Sequence, residues 1–344
     1  MSAAKKQLIQ MTKATLKVLL PILLTLFSTV GRAHHGNFTY DGSTVITIEG
    51  EVLVFNWTNP HSILMIRTDN GDEIEIEIDG PSLIRPMGVN SDSLKQGERI
   101  VAYVSPSNRG RADEVLGREI IKEDGSLIRV SVAFARQQTR ENLPNTDSVL
   151  GTWVPDRTNL FTHVASSASW QLTQAGQALF DSYDSSVSFA QAECLSATAP
   201  TLMMYPTINL LTEVNGHIEI NADWMGATRT VFMDGRDHPA PETRYYQGHS
   251  IGHWEDDDLV IETTNFTENS TGNVFSIASG VSKKIVERIS LNNNGSTATY
   301  SFTLTDPDYL AAPVAASYEW HYRPDVSISS EACDLEVARR YLEE

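Results

Sequence analysis

From Thr44 onward the chain alternates apolar and polar positions with a period of two. In "EIEIEID" (residues 73–79), Ile74, Ile76 and Ile78 fall on one side, and Glu73, Glu75 and Glu77 on the other. Successive strand side chains point to opposite faces, so this pattern predicts a strand with one wet face. "TVITIEGEVLVFNW" behaves in the same way, with Val45, Thr47 and Glu49 opposite Ile46, Ile48 and Gly50. Asn70-Gly71, Asp124-Gly125, Asn215-Gly216 and Asn294-Gly295 each separate two such runs. These pairs tolerate the positive φ angles of tight hairpin turns. The close spacing of short strands over residues 34–134 predicts a small OB-like barrel. Residues 135–149 are polar and without period, and read as a linker. Over residues 150–328 the strand pattern returns as an antiparallel, lipocalin-like barrel or meander. Helix is expected only at Thr173–Tyr183 and in the tail, residues 329–344, capped at Ser329 or Ser330. The fold class expected is all-β, with few short helices.

The start of the chain follows a different rule. Lys5, Lys6, Lys13 and Lys17 precede the apolar run Val18–Phe27, and Gly31-Arg32-Ala33 supplies small residues for cleavage. That is the layout of a secretory signal peptide over residues 1–33, and the run is shorter than the roughly 20 residues a bilayer span needs. Cleavage near Ala33 predicts a periplasmic or secreted protein with no integral membrane segment. It also removes five cations and no carboxylate, moving the formal charge from −18 to −23. So acidic a chain repels nucleic acid and anionic lipid, which leaves small molecules and metal ions as the expected partners. Export also gives the two cysteines a meaning: Cys194 and Cys333 are expected to form one disulfide. N-x-S/T sequons stand at Asn37, Asn56, Asn265, Asn269 and Asn294.

Four constellations could carry chemistry. Gly248-His249-Ser250-Ile251-Gly252 spells G-x-S-x-G. A nucleophile elbow needs a strand before the serine and a helix after it. The flanks here are "PETRYYQ" and the alternating "HWEDDDLVIETTNF", so a strand–turn–strand corner is expected and Ser250 is not read as a hydrolase nucleophile. Second, cleavage after Ala33 makes His34 the first residue. Its amine and imidazole, with His35 and His61 as further ligands, then form a copper chelate. Cleavage after Arg32 gives Ala-His-His, which also binds copper(II), the metal at the top of the divalent affinity order. The element "NWTNPHS" carries His61; a plain structural corner is the competing reading. Third, Asp234, Arg236, Asp237, His238, His249, His253 and Glu255 crowd one segment, suited to acid–base work or to a salt-bridged loop. Fourth, Gly151-Thr152-Trp153 with the late Arg323 matches the lipocalin device in which a cation covers an indole at one barrel end. Trp153, Trp254 and Arg323 are the candidate ligand-binding residues.

"AHHGNFTYD" after the signal peptide, "GEVLVFNWTNPHS" and "SLKQGERI" together resemble a family of exported bacterial proteins of unknown function. The second half, through "GTWVPDR", "DGRDHP" and "GHSIGHWEDDDLVIETTNF", resembles a further uncharacterised group. The resemblance implies an exported protein and no particular activity. The reading favoured is an exported binding protein, copper-chelating at its N-terminus and holding a small ligand in its second domain. A hydrolase or lyase using Asp234, Arg236, His238 and His249, and an envelope interaction module without a ligand, are the alternatives.

Overall fold

The computed structural model describes residues 40–108, 110–134, 144–184, 190–292, 294–328, 331–340 and 342. The expected signal peptide, His34, His35 and most of the expected linker (residues 135–143) lie outside them.

The first barrel is built from β1 (Ile46–Asn56), β2 (His61–Arg67), β3 (Glu73–Asp79), β4 (Arg99–Pro106), β5 (Glu114–Lys122) and β6 (Leu127–Arg129). Antiparallel pairings run β3-β2-β1-β4-β5-β6, and β3 also pairs parallel with β5. That last pairing closes β1-β2-β3-β5-β4 into a ring, the OB-like barrel expected from the pattern. Its interior is the apolar half of each alternation, including Val52, Leu64, Ile66, Ile76, Ile78, Ile100, Val104 and Ile120. A short helix, α1 (Pro81–Ile84), follows β3 and drops Ile84 into this core, while Leu83 packs against the cores of both barrels.

The second barrel comprises β7 (Gly151–Pro155), β8 (Asn209–Val214), β9 (His217–Ala222), β10 (Ala227–Phe232), β11 (His249–Glu255), β12 (Asp258–Thr264), β15 (Lys284–Leu291), β16 (Thr297–Thr305) and β17 (Val314–Tyr322). They close in the order β10-β11-β12-β15-β16-β17-β7-β8-β9. Between β12 and β15 a small hairpin, β13 (Asn269–Val274) with β14 (Ile277–Ser279), stands apart from the barrel. Helices α2 (Thr158–Ser167) and α3 (Gln174–Ser182) follow β7, and α4 (Leu335–Arg339) lies in the tail. Thr173 caps α3 by accepting from the Gly176 amide, as its position predicts.

Several expectations change. The meander is not wholly antiparallel: β10 and β11 run parallel, joined by the long crossover of residues 233–248. Helix α2 was not legible, because its Thr and Ser residues are weak helix formers; it stands because Leu160 and His163 bury against the barrel. The tail helix is shorter than the residue 329–344 span. Its cap is Asp334, which accepts from the Glu336 and Val337 amides. Just before it, Cys333 makes a parallel β-bridge with Asn59, and the Asp334 amide donates to the Asn59 carbonyl. Ser329 and Ser330 lie outside the described residues. Lastly, the polar face of β3 is not uniformly wet. Glu77 is buried, and Arg340 from the tail pairs with Glu75 and Glu114.

Between barrel and hairpin lies a buried lysine. Lys283 donates to the Gly272 carbonyl at 2.6 Å and to Thr198 at 3.1 Å, with its ammonium 4.6 Å from the Phe266 ring centroid. Burial pulls its pKa down to about 7 from 10.5. The unfolded chain therefore binds one more proton than the native state between those values, and stability rises with pH across that window. The expected slope from this group is up to about 1.4 kcal/mol per pH unit. Denaturant titrations at pH 7, 8 and 9 on the native chain and Lys283→Met check it. The same slope in both proteins would exclude Lys283 as its source.

Candidate functional site

Ser250 is the place to start, since its motif has the most definite alternative meaning. It lies in β11, is buried, and is followed by more strand. The two glycines of the motif answer to packing. Gly248 has φ +74°, and a Cβ there would sit 2.6 Å from Thr263 Cγ2 and 2.8 Å from the Thr264 carbonyl oxygen. A Cβ at Gly252 would meet Val231 Cγ1 at 2.6 Å and Met233 Sδ at 2.9 Å. Both keep β11 tight against β10 and β12, so the motif is a strand corner.

Facing inward, Ser250 meets an ionic network. Arg229 and Glu287 form a two-pronged pair, with Nη1–Oε1 at 3.0 Å and Nη2–Oε2 at 2.5 Å, and neither side chain is more than 1% exposed. Tyr300 donates to Glu287 Oε1 at 2.8 Å, and Arg229 also donates to Thr263 at 3.0 Å. Trp320 stacks on Tyr300 with ring centroids 5.1 Å apart. Burial opposes the charge on Arg229, but the Glu287 carboxylate outweighs it and holds the guanidinium pKa above its ordinary value. The middle of the barrel is thus occupied by charge and stacked rings.

The lipocalin-type candidates lie where the barrel closes, with Tyr322 of β17 paired to Trp153 of β7 and the Arg323 amide donating to the Thr152 carbonyl. Trp153 is fully buried and donates its indole N–H to the Val149 carbonyl. The ring beside it is Tyr322, with centroids 5.2 Å apart. Arg323 donates to the Pro86 carbonyl from both terminal nitrogens, at 3.1 and 3.2 Å, and pairs with Asp325. Its guanidinium thereby ties the second barrel to the turn after α1. Trp254 shares the face of β11 that carries Ser250 and pairs with Leu259, but lies next to the β11–β12 turn and is 45% exposed, while His253 and Glu255 pair at 3.1 Å on the opposite face.

The crossover, residues 233–248, carries the densest group. Asp234 and Arg236 pair with each other at 2.6 Å, and the Arg236 guanidinium lies 4.0 Å from the Phe232 ring centroid. His238 is folded back against His249, with Nδ1···Nδ1 at 2.9 Å. Phe232 stacks on the His249 ring, centroids 5.0 Å apart, and Tyr245 lies at 6.1 Å. Behind His238, Nε2 faces Glu262 Oε1 at 3.5 Å, and Lys284 holds the other Glu262 oxygen at 2.7 Å. Burial lowers both imidazole pKa values. Glu262 partly opposes this at His238, while the His238 and Arg236 charges reinforce it at His249. Asn265 anchors the crossover, its amide donating to the carbonyls of Pro239, Ala240 and Thr243 at 3.3, 3.1 and 2.8 Å. That sequon is buried and its side chain engaged, so it is structural.

At the first barrel, His61 Nδ1 is 2.9 Å from Glu77 Oε1, and Tyr40 donates to Glu77 Oε2 at 2.7 Å. Burial would lower the His61 pKa, but Glu77 and Asp79 outweigh it and hold the net value above normal. The same contacts hold Glu77 low despite its burial. Asn59, in the same NPH element, accepts from Ser82 at 3.2 Å and donates to the Glu331 carbonyl. Among the described residues, no group of three or more His, Cys, Asp or Glu side chains converges as a metal set. The expected disulfide is present: Cys194 and Cys333 are joined, linking the second barrel to the tail.

Structure therefore brings His238 and His249 together, joins Asp234 to Arg236 alongside, and separates all four from Trp153 and Arg323. Sequence reasoning missed Glu77 and Glu262, and read Asn265 only as a sequon. Glu77 sat in an alternating run that looked wet, and Glu262 lay in a strand that offered no separate signal.

Comparison with known proteins adds a family without an activity. Residues 23–116 match the family of unknown function DUF6152. The DUF6152 match runs into β5 and includes His34, His35 and His61. It agrees with the resemblance carried by the paired histidines and the W-x-NPH element. No curated protein matches the chain. Among solved structures, one similar chain is described as an aspartyl-tRNA synthetase from Leishmania major Friedlin, at 11% identity and a TM-score of 0.20. The alignment spans 69% of this chain and 48% of that one, and so low a score carries no argument. No helix among the described residues is long and apolar enough to cross a membrane.

Proposed function

We propose that this chain is an exported copper-binding protein whose metal site combines its mature N-terminal histidines, His34 and His35, with His61. The carrying observation is the shared carboxylate: Glu77 holds His61 through one oxygen and Tyr40 through the other. Tyr40 follows His35 by five residues, a span of at most about 18 Å of extended chain. The N-terminal histidines are therefore tethered within reach of His61. Ligating imidazoles commonly give their second nitrogen to a carboxylate, which fixes ring and tautomer, and His61 has that support. An amine with imidazoles suits copper, which the acidic chain would also concentrate at its surface. A bound ion displaces the proton that Glu77 stabilises on His61, so apparent affinity rises with pH.

Copper(II) titration of the processed chain tests the reading, with mass spectrometry to establish its first residue. The processed chain is expected to bind at least tenfold more tightly than the same chain with His34→Ala and His35→Ala. His61→Ala is expected to give a smaller loss. Equal affinity in the native and doubly substituted chains would overturn the N-terminal site.

A further inference from the structure

We propose that His238 and His249 form a second site, on the outer face of the second barrel, that binds a divalent transition metal with tetragonal geometry such as copper(II). It stands on residues distant in sequence from the N-terminal histidines and does not depend on that reading.

The geometry comes first. Two nitrogens each about 2.0–2.1 Å from one ion and at a right angle stand about 2.9 Å apart, whereas a tetrahedral ion spreads them to about 3.3 Å. The His238 and His249 Nδ1 atoms are 2.9 Å apart. That separation equals the one between adjacent corners of a square, the arrangement copper(II) and nickel(II) prefer with nitrogen ligands, and an ion there would replace the hydrogen bond that joins the two nitrogens.

The second argument is the support behind each ring. His238 turns its other nitrogen to Glu262, 3.5 Å away, and Lys284 fixes that carboxylate from its far side at 2.7 Å. A carboxylate behind an imidazole orients ligating histidines and raises their basicity. His249 is held by stacking on Phe232, which is itself covered by Arg236.

Third, the two histidines come from different kinds of backbone, and the fold fixes both. His249 opens β11, paired with Thr264. His238 lies on the crossover, whose Pro239, Ala240 and Thr243 carbonyls are gathered by the single amide of Asn265. Little chain ordering is left to oppose binding, which is the condition for useful affinity from two protein ligands. Solvent would complete the coordination.

The test uses the processed chain carrying His34→Ala, His35→Ala and His61→Ala, which removes the N-terminal site. Copper(II) chloride is titrated into it by calorimetry, and the product is read by electron paramagnetic resonance. One further copper per chain is expected, with a tetragonal signal showing nitrogen ligands. Either His238→Ala or His249→Ala should weaken it at least tenfold, and Glu262→Gln should weaken it less. Circular dichroism and thermal melting confirm that each variant is folded. Absence of saturable one-to-one binding would leave the pair as a histidine–histidine hydrogen bond only and overturn the proposal. Binding unaffected by both histidine substitutions would overturn it equally. Since the N-terminal reading is judged on the native chain against His34→Ala with His35→Ala, either site can fail alone.

Discussion

Replacing Glu287 with glutamine is expected to cost about 3–5 kcal/mol of folding stability. Glu287 meets Arg229 through both oxygens inside the second barrel and also accepts from Tyr300. Removing its charge leaves a guanidinium buried with no counter-charge, and an unpaired buried ion is among the most costly single defects. The loss should not be read as the worth of the pair, because desolvation of both ions offsets much of their attraction. The double variant Arg229→Met with Glu287→Leu separates the two quantities. It should recover most of the loss, since apolar replacements of buried ion pairs are often neutral or stabilising. Urea denaturation of the native chain, both single variants and the double variant gives the coupling. A Glu287→Gln cost below about 1 kcal/mol would mean that solvent reaches Arg229 and the barrel is less tightly closed than described.

A second large effect is expected at the tail. Loss of the Cys194–Cys333 link, as the double serine variant, should lower stability by about 2–5 kcal/mol. The sequence separation is 139 residues, so the link restrains a long loop in the unfolded chain, and the upper part of that range is expected. It also locates a strap in the native state. Next to Cys333, Glu331 accepts from Trp57 and pairs with Arg85, the Asp334 amide donates to Asn59, and Arg340 reaches Glu75 and Glu114. These groups lie on the first barrel, so the link anchors a segment that joins the barrels. Hydrogen exchange should therefore quicken at the Asp334 amide in the serine variant, while the β15–β16 ladder keeps its protection. An unchanged denaturation midpoint would show that the strap's ion pairs hold it without the covalent link.

The two effects differ in how far the sequence announced them. Cys194 and Cys333 were legible as a pair because a chain expected to be exported, with two cysteines, has one obvious partner for each. Glu287 and Arg229 were not, since both sit in alternating runs whose charged residues look solvated. The same holds for Glu77, read as part of a wet face and found between His61 and Tyr40. Of the crossover candidates, the sequence named His238, His249, Asp234 and Arg236 together but left their partners open. The structure pairs the first two with each other and the last two with each other, and adds Glu262 behind His238. For Ser250 the sequence was sufficient: no helix could start from residues with a strand period, and none does.

By itself, then, the sequence determined the all-β class, the hairpin turns and the disulfide pairing. Each is set by neighbours along the chain or by a choice with a single solution. Only the tertiary structure decided how the ends of each barrel meet, why β10 lies parallel to β11, and which charged side chains are buried against which. Those outcomes depend on groups brought together from distant parts of the chain, and a period-two pattern says which way a side chain points but not what will cover it.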